Sequence, residues 1–462
     1  MKKMTFLKSL LLALLVAFSA VFTGCSDDDD LSNETGIVEF KLKNAEHAEK
    51  TFKLDQTALA ITNADEPLAY KSAVNELIPV FTTVDKVTIK MGETVIENGV
   101  TKVDFTNPVK FKAIAEDGKT VKEYTVTVVV SQVNPDGAPI KKKADKISEE
   151  NFNGSKIFEH NGKIYVWGLT DGGESVLYSS TDGTAWNKEN LQDDILKLRM
   201  FSFVKFNNKF YIIGGVTGSG WGASAKSSVW ESADLATWTL VNENTEAESN
   251  IPRNGSGISF VMGNKLYLTG TRSFSFGALQ APSSNVYSTT DGVTWTKETA
   301  TQPEGMSIEP DAATFYHKGK FYISGGYRVD YTNATYVTAD GITWTKIESN
   351  YKIRTGHSIY SNGEKLFLMG GKSAVVTGEG DDETTTTTLE KDYLVSEDDG
   401  LTWNAIEDAS LPGDFKARYK HSIFIDSNKN LWVIGGSIAD PDNDGQELSI
   451  RDVWSGKLNI VE

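Results

Sequence analysis

From residue 163 onward one phrase returns six times: a polar residue, a run of four or five mostly apolar ones, then glycine. The copies are KIYVWGL, KFYIIGG, KLYLTGT, KFYISGG, KLFLMGG and NLWVIGG, beginning at Lys163, Lys209, Lys265, Lys320, Lys365 and Asn430. Short apolar runs rich in aromatic and β-branched residues and stopped by glycine predict buried strands. Five copies are followed by another strand and then by an acid-to-tryptophan string: STDGTAW from Ser180, SADLATW from Ser232, TTDGVTW from Thr289, TADGITW from Thr338 and SEDDGLTW from Ser396. Each string has a Ser or Thr two residues before an Asp. Such short oxygen-bearing side chains bond back to backbone amides and hold a tight turn, glycine supplies the unusual dihedral, and tryptophan packs over the hairpin. The strings are expected to fold the protein and not to act on a substrate.

A unit of about 50 residues built of four short strands matches a propeller blade. Six copies predict a six-bladed β-propeller over residues 154–462. The sixth copy is incomplete, because the chain stops at DVWSGKLNIVE with no tryptophan string after it. A closed ring leaves no free edge, so PIKKKADK, just upstream of the first blade, is expected to supply the missing outer strand. That segment belongs to a Pro- and Gly-punctuated linker at 132–153. Before it, residues 34–131 alternate apolar and polar positions in GIVEFKL, IPVFTTV, KVTIKMG and VKFKAIAEDGKTVKEYTVTVVV. About seven short strands in about 100 residues read as an immunoglobulin-like β-sandwich. The expected fold class is therefore all-β, a small sandwich followed by the propeller.

Composition agrees with this and removes one class of partner. The 462 residues include 40 glycines and no long stretch of helical periodicity after residue 30. The formal charge of −17 becomes −20 once the leader's Lys2, Lys3 and Lys8 are lost. Such a chain repels phosphate backbones and anionic lipid heads, which excludes nucleic acid. Residues 1–24, with those lysines before LLLALLVAFSAVF, read as a secretory signal. Cys25 is the single cysteine, so no disulfide framework exists.

The FTGC segment resembles a bacterial lipobox, with Phe22 where leucine is commoner, and the resemblance implies that Cys25 becomes the acylated first residue. Residues 25–33 would then be a lipid-anchored acidic tether. Its SDDDD run resembles the export tag of Bacteroidota surface lipoproteins, implying an outer-membrane lipoprotein exposed on the cell surface, with the sandwich as a spacer. Acyl chains hold a protein on a membrane without a spanning helix. Whether such a protein works alone or within an outer-membrane uptake complex is left open by the sequence.

The propeller repeats resemble the kelch type. The likeness rests on the glycine-ended strand, the following aromatic (Tyr178, Trp230, Tyr287, Tyr336, Tyr393, Trp454), the closing tryptophan, and an arginine ahead of the blade (Arg199, Arg253, Arg354, Arg418). SEDDGLTW matches the Asp-box, which in related propellers lies away from the ligand face. Function is then expected on the opposite loops, which vary in length as binding loops do. These carry Trp221 in the second blade, Arg272, Phe274 and Phe276 in the third, and Tyr327, Arg328 and Tyr331 in the fourth. Aromatics beside arginines suit a glycan or a protein ligand; alternatively they bury themselves between loops. The lead-in arginines either form ion pairs between blades or meet an anionic ligand.

No cofactor is expected, with one candidate metal. DPDNDG places Asp440, Asp442 and Asp444 at alternate positions, the opening of a calcium loop, but position twelve is Arg451, which excludes a strict EF-hand. A shorter calcium loop or a solvated turn remain as readings. GEGDDETTTTTLEKD in the fifth blade is a low-complexity insertion expected to be mobile. His357 and His421 share a repeat position, which argues for packing. Galactose oxidase chemistry needs a tyrosine linked to a cysteine, and Cys25 is assigned to the lipid. The expected function is a non-catalytic surface module binding a glycan or protein partner; the alternative is a sialidase-like glycoside hydrolase or a polysaccharide lyase on the same ring.

Overall fold

The computed structural model describes residues 31–44, 49–132, 134, 136–243, 254–255, 257–275, 278–303, 306, 311–326, 331–377, 384–406, 411–443 and 446–458. The chain divides into two units, Met1–Val133 and Asn134–Glu462.

In the first unit, a sheet of Glu49–Thr51, Ile37–Lys43 and Ile78–Thr83 and a second sheet of six strands enclose one core. Alternation decides which side chains enter it. Along Val109–Ile114, Phe111 and Ala113 are buried while Lys110 and Lys112 face water. Phe40 meets Phe52 edge-on at 5.9 Å, and Phe105 meets Phe111 at 6.1 Å, the T-shaped contacts that ring quadrupoles favour. Tyr124 is buried, and its hydroxyl donates to Gln56 Oε1 at 2.9 Å and accepts from the Ile37 amide at 3.2 Å. Ala60–Thr62 pairs in parallel with Thr125–Thr127, and an isolated parallel bridge joins Leu68 to Val130.

The second unit is a propeller of six four-stranded antiparallel sheets. Its innermost strands are Phe152–His160, Ser202–Phe206, Ile258–Met262, Ala313–His317, Ser358–Ser361 and Ser422–Ile425. Each pairs with a glycine-ended strand, and that strand with the next outward. Between consecutive blades lies a separate apolar cluster. Tyr165, Trp167 and Phe210 join the first to the second, Tyr211 and Tyr287 the second to the third, and Phe260 and Phe321 the third to the fourth. Tyr322 and Ile359 continue the series, Phe367 and Leu431 follow, and Trp432 with Val166 joins the sixth blade back to the first. Ser427 also bonds Glu159 across that last seam, its amide to Oε2 at 2.7 Å.

Lys141–Ala144 is the outer strand of the sixth sheet, pairing with Val453–Ser455. Register explains why Gly456 ends this blade: it faces Leu431, as Ser180 faces Ile164 and Ser232 faces Phe210 in other blades. A Cβ on Gly456 would overlap the Pro139 carbonyl oxygen, so closing the ring requires glycine here. Asp136 pairs with Lys365 at 2.9 Å, and Ile140 is buried between the fifth and sixth blades.

Two expectations are corrected. Thr384–Leu389, within the low-complexity insertion, is a regular strand paired with Lys372–Thr377. Consecutive threonines are β-branched and extend readily, which low complexity alone conceals. Tyr393 is also out of step with the other aromatics. Tyr178, Trp230, Tyr287, Tyr336 and Trp454 stand opposite Val166, Ile212, Leu268, Ile323 and Val433, whereas in the fifth blade Leu394 takes that place and Tyr393 faces Met369.

Candidate functional site

In a four-stranded antiparallel sheet the turns after the first and third strands share one end, and the loop after the second lies at the other. The acid-to-tryptophan strings therefore occupy one end of the ring and the variable loops the opposite end.

The first end is built from local hydrogen bonds. In the first blade Ser180 Oγ accepts from the Gly183 amide at 2.8 Å, Asp182 Oδ1 from Thr184 N at 2.8 Å, and Trp186 Nε1 donates to the Gly183 carbonyl at 3.1 Å. The fifth repeats this, Gly400 N to Ser396 Oγ at 2.9 Å and Trp403 Nε1 to the Gly400 carbonyl at 3.0 Å. Asp182, Asp291 and Asp340 are held down at about 2. The Thr184 amide dominates at Asp182 and the Thr343 amide at Asp340; at Asp291 partial burial pushes upward and the Thr294 and Val293 amides outweigh it. Asp182, Asp234, Asp291, Asp340 and Asp398 are thus consumed by their own turns, whereas Asp399 of the fifth blade bonds His317 Nε2 at 3.0 Å and Lys318 Nζ at 2.6 Å in the fourth.

At the loop end, the second blade raises a small hairpin, Val216–Thr217 with Ser224–Ala225, tipped by a short 3-10 turn at Gly220–Gly222. Trp221 stands on that tip, 85% exposed, the most exposed large apolar side chain among the described residues. Arg199 exchanges backbone hydrogen bonds with Val216 and donates from its guanidinium to the Gly218 carbonyl at 2.5 Å. It braces the loop. The third blade's hairpin, Phe274–Ser275 with Ala278–Leu279, lies against Ser224–Ala225, with Arg272 and Phe274 half-buried. Trp221 on one hairpin loop and Arg272 and Phe274 on the next therefore adjoin, with Arg199 bracing the first from the segment that leads into the second blade. Tyr331 is half-buried in the fourth blade. Arg253, Phe276, Tyr327 and Arg328 lie outside the described residues, as do Cys25 and Asp444.

Arg354 and Arg418 are corrected. Both have no exposed surface. Arg354 forks onto Asp392 with two bonds of 2.7 Å and donates to the Gly370 and Lys352 carbonyls; Arg418 forks onto Asp452 at 2.6 and 2.9 Å and donates to the Gly435 and Lys416 carbonyls. Their donors are spent within the blade, so neither meets a ligand. Strand register also separates the four arginines: Ser358, Ser422, Ser202 and Ile258 are equivalent, facing Met369, Ile434, Ile213 and Thr269. Four residues earlier come Arg354 and Arg418 but Leu198 and Asn254, so Arg199 and Arg253 are one place out of the series. Asn254, fully buried, donates to the Ile213 carbonyl at 2.8 Å instead.

His357 and His421 pack where the repeat predicts, each buried against the glycine that ends a neighbouring blade's second strand, Gly325 and Gly370. Burial, with the adjacent Arg354 and Arg418 charges behind it, pushes both pKa values down, His421 to about 3, so both are neutral. In the candidate calcium loop, Asp440 Oδ1 accepts from the Asp442 amide at 3.0 Å and Oδ2 from Asn443 Nδ2 at 2.9 Å, a turn closing on itself. Among the described residues no three His, Cys, Asp or Glu side chains gather as metal ligands.

A feature the sequence reading missed is a cavity of about 260 Å³ at the seam of the sixth and first blades, lined by Phe152, Asn153, Tyr419, Lys420, Ile434–Ser437 and Ser449–Arg451. Of its lining residues Lys420, at φ +56°, occupies the left-handed position held by Gly356 at φ +60° in the fifth blade and by Met200 at φ +55° in the second.

No helix among the described residues is long and apolar enough to cross a membrane. No curated protein matches the chain. A solved structure titled "Structure of YjhT" is similar at 14% identity, covering 67% of this chain and 95% of that one with a TM-score of 0.47. Residues 27–128 match the family described as the domain of unknown function (DUF6242) N-terminal domain, and residues 353–461 match the DUF6242 beta propeller domain. The chain is thus similar to the DUF6242 N-terminal domain over its first unit and to the DUF6242 β-propeller over its last two blades.

Proposed function

We propose that the propeller is a non-catalytic recognition module for a glycan, displayed on the outer membrane through acylated Cys25, with the immunoglobulin-like N-terminal domain as spacer and kelch-type blades as frame. The observation that supports this is Trp221. An indole held 85% exposed on a braced turn is a standing cost in water, recovered when an apolar sugar face covers it. The Ser, Thr and Gly residues of the same loop provide hydrogen-bonding groups around the ring.

A glycan array probed with the mature chain tests the reading, alongside Trp221→Ala and Arg328→Ala. Capture of a defined glycan, weakened about tenfold in Trp221→Ala with an unchanged melting temperature, is the expected result; tenfold corresponds to about 1.4 kcal/mol. Equal capture by the variant would remove the proposed face. Binding of a surface protein with no glycan would exchange the ligand class, and turnover of a captured glycan would favour the glycoside hydrolase or lyase.

A further inference from the structure

At the seam of the sixth and first blades one arginine and two lysines have no ion-pair partner among the described residues. Among the described residues Lys156, Lys420 and Arg451 make no ion pair and no side-chain hydrogen bond; both lysines are exposed, and Lys420 Nζ lies 5.2 Å from the centre of the Tyr419 ring, while Lys372 pairs with Glu447 and Arg418 with Asp452. Arg451 Nε is buried without a partner. Two carboxylates of the same strand are already committed, Glu447 to Lys372 and to the Tyr419 hydroxyl, 2.5 Å from Oε2, and Asp452 to Arg418. A buried guanidinium N–H with no acceptor is rare, because desolvation is then uncompensated.

Lys420 and Arg451 both line the 260 Å³ cavity; Lys156, three residues after Asn153 on the same strand, is not part of the lining. The rest of the lining is divided. Phe152, Tyr419, Ile434 and Ile450 offer apolar surface, while Asn153, Ser437 and Ser449 offer neutral hydrogen-bonding groups. Gly435 and Gly436 leave the floor bare backbone; a Cβ on Gly435 would stand 2.9 Å from the Ile450 carbonyl oxygen. The volume falls just below the range of about 300–1,000 Å³ usual for drug-sized ligands, and so suits one small molecule.

We infer that this cavity binds a small hydroxylated carboxylate the size of a single sugar ring, its carboxylate met by Arg451 and Lys420 and its ring by Phe152 and Tyr419. Arg451 supplies the forked donors that match a carboxylate. Glycine would fit the left-handed Lys420 dihedral without cost, so the charge can be removed there while the backbone is spared. This site stands apart from the loop that carries Trp221 and does not rest on the glycan reading.

Calorimetric titration of the mature chain with glucuronate, galacturonate, glucose and inorganic phosphate tests it. At least one uronate should bind ten times more tightly than glucose and weaken as salt rises. Arg451→Gln should lower that affinity tenfold or more. Lys420→Gly should lower it severalfold while melting no earlier than wild type, which separates loss of the site from loss of the fold, and Trp221→Ala should leave it unchanged. Equal binding of glucose, no binding of either uronate, or wild-type affinity in both charge variants would each overturn the inference. Binding of phosphate without either uronate would overturn the carboxylate in favour of an inorganic anion.

Discussion

Gly341 of the fourth blade faces the ring of Tyr267 in the third so closely that a Cβ added to it would lie 2.6 Å from the tyrosine Cε2. The same relation joins Gly292 to Tyr211 and Gly183 to Trp432. The acid-to-tryptophan turn is therefore a clamp between blades as well as a hairpin. Its glycine is set by two constraints at once, a left-handed dihedral of φ +86° and a neighbour's ring. In the second blade Leu235 holds the place at φ +69° and is buried with Tyr165, so the strained position is retained by apolar packing.

Gly341→Ala should destabilise the propeller by about 2–4 kcal/mol, the left-handed backbone and the overpacked seam each contributing. Gly263→Ala, also left-handed at φ +60° but with open space around its Cβ, should cost only about 1 kcal/mol. Equal losses in chemical denaturation would show that the seam does not contribute.

Arg354→Leu should cost about 3–5 kcal/mol, because it strands the Asp392 carboxylate against a blade that has no other forked donor for it. Binding by the Trp221 face should persist in whatever fraction remains folded. A stable variant that loses ligand would restore Arg354 as a contact.

Acid should unfold the protein in two stages. The depressed His357 and His421 keep both rings neutral in the fold, so their contribution is present above the unfolded histidine value of about 6.5 and is lost as pH falls toward their folded values. The turn carboxylates, folded at about 2 against about 3.9 unfolded, contribute fully above pH about 4 and lose that contribution below it. Unfolding free energy measured against pH should decline gently from about 6.5 and steeply below about 4. His421→Gln should flatten the first limb alone.

Gly456→Ser should expel the strand that closes the ring, since the added Cβ overlaps the Pro139 carbonyl. Lys141, Lys142 and Lys143 then become an open trypsin site. Rapid cleavage after these lysines in the variant, with slow cleavage in wild type, is the expected pattern; identical digestion would mean that this strand contributes little to closure.

What the sequence determined by itself is the part that repeats over a short span. The glycine-ended strands and the turns at Asp182, Asp234, Asp291, Asp340 and Asp398 are written in bonds between residues two to four apart, so a window of ten residues holds the whole cause. Blade number and the side on which Trp221 stands follow from counting them. Tertiary structure alone decided which arginines are spent on ion pairs and where a cavity lined by Lys420 and Arg451 remains. Arg354 is spent because Asp392 arrives 38 residues later, and Leu198 and Asn254 displace Arg199 and Arg253 from that role only once strand register is known. The cavity between Asn153 and Arg451 exists because the ring brings its two ends together. Unpaired charge is a property of what surrounds a side chain after closure, and no local pattern carries it.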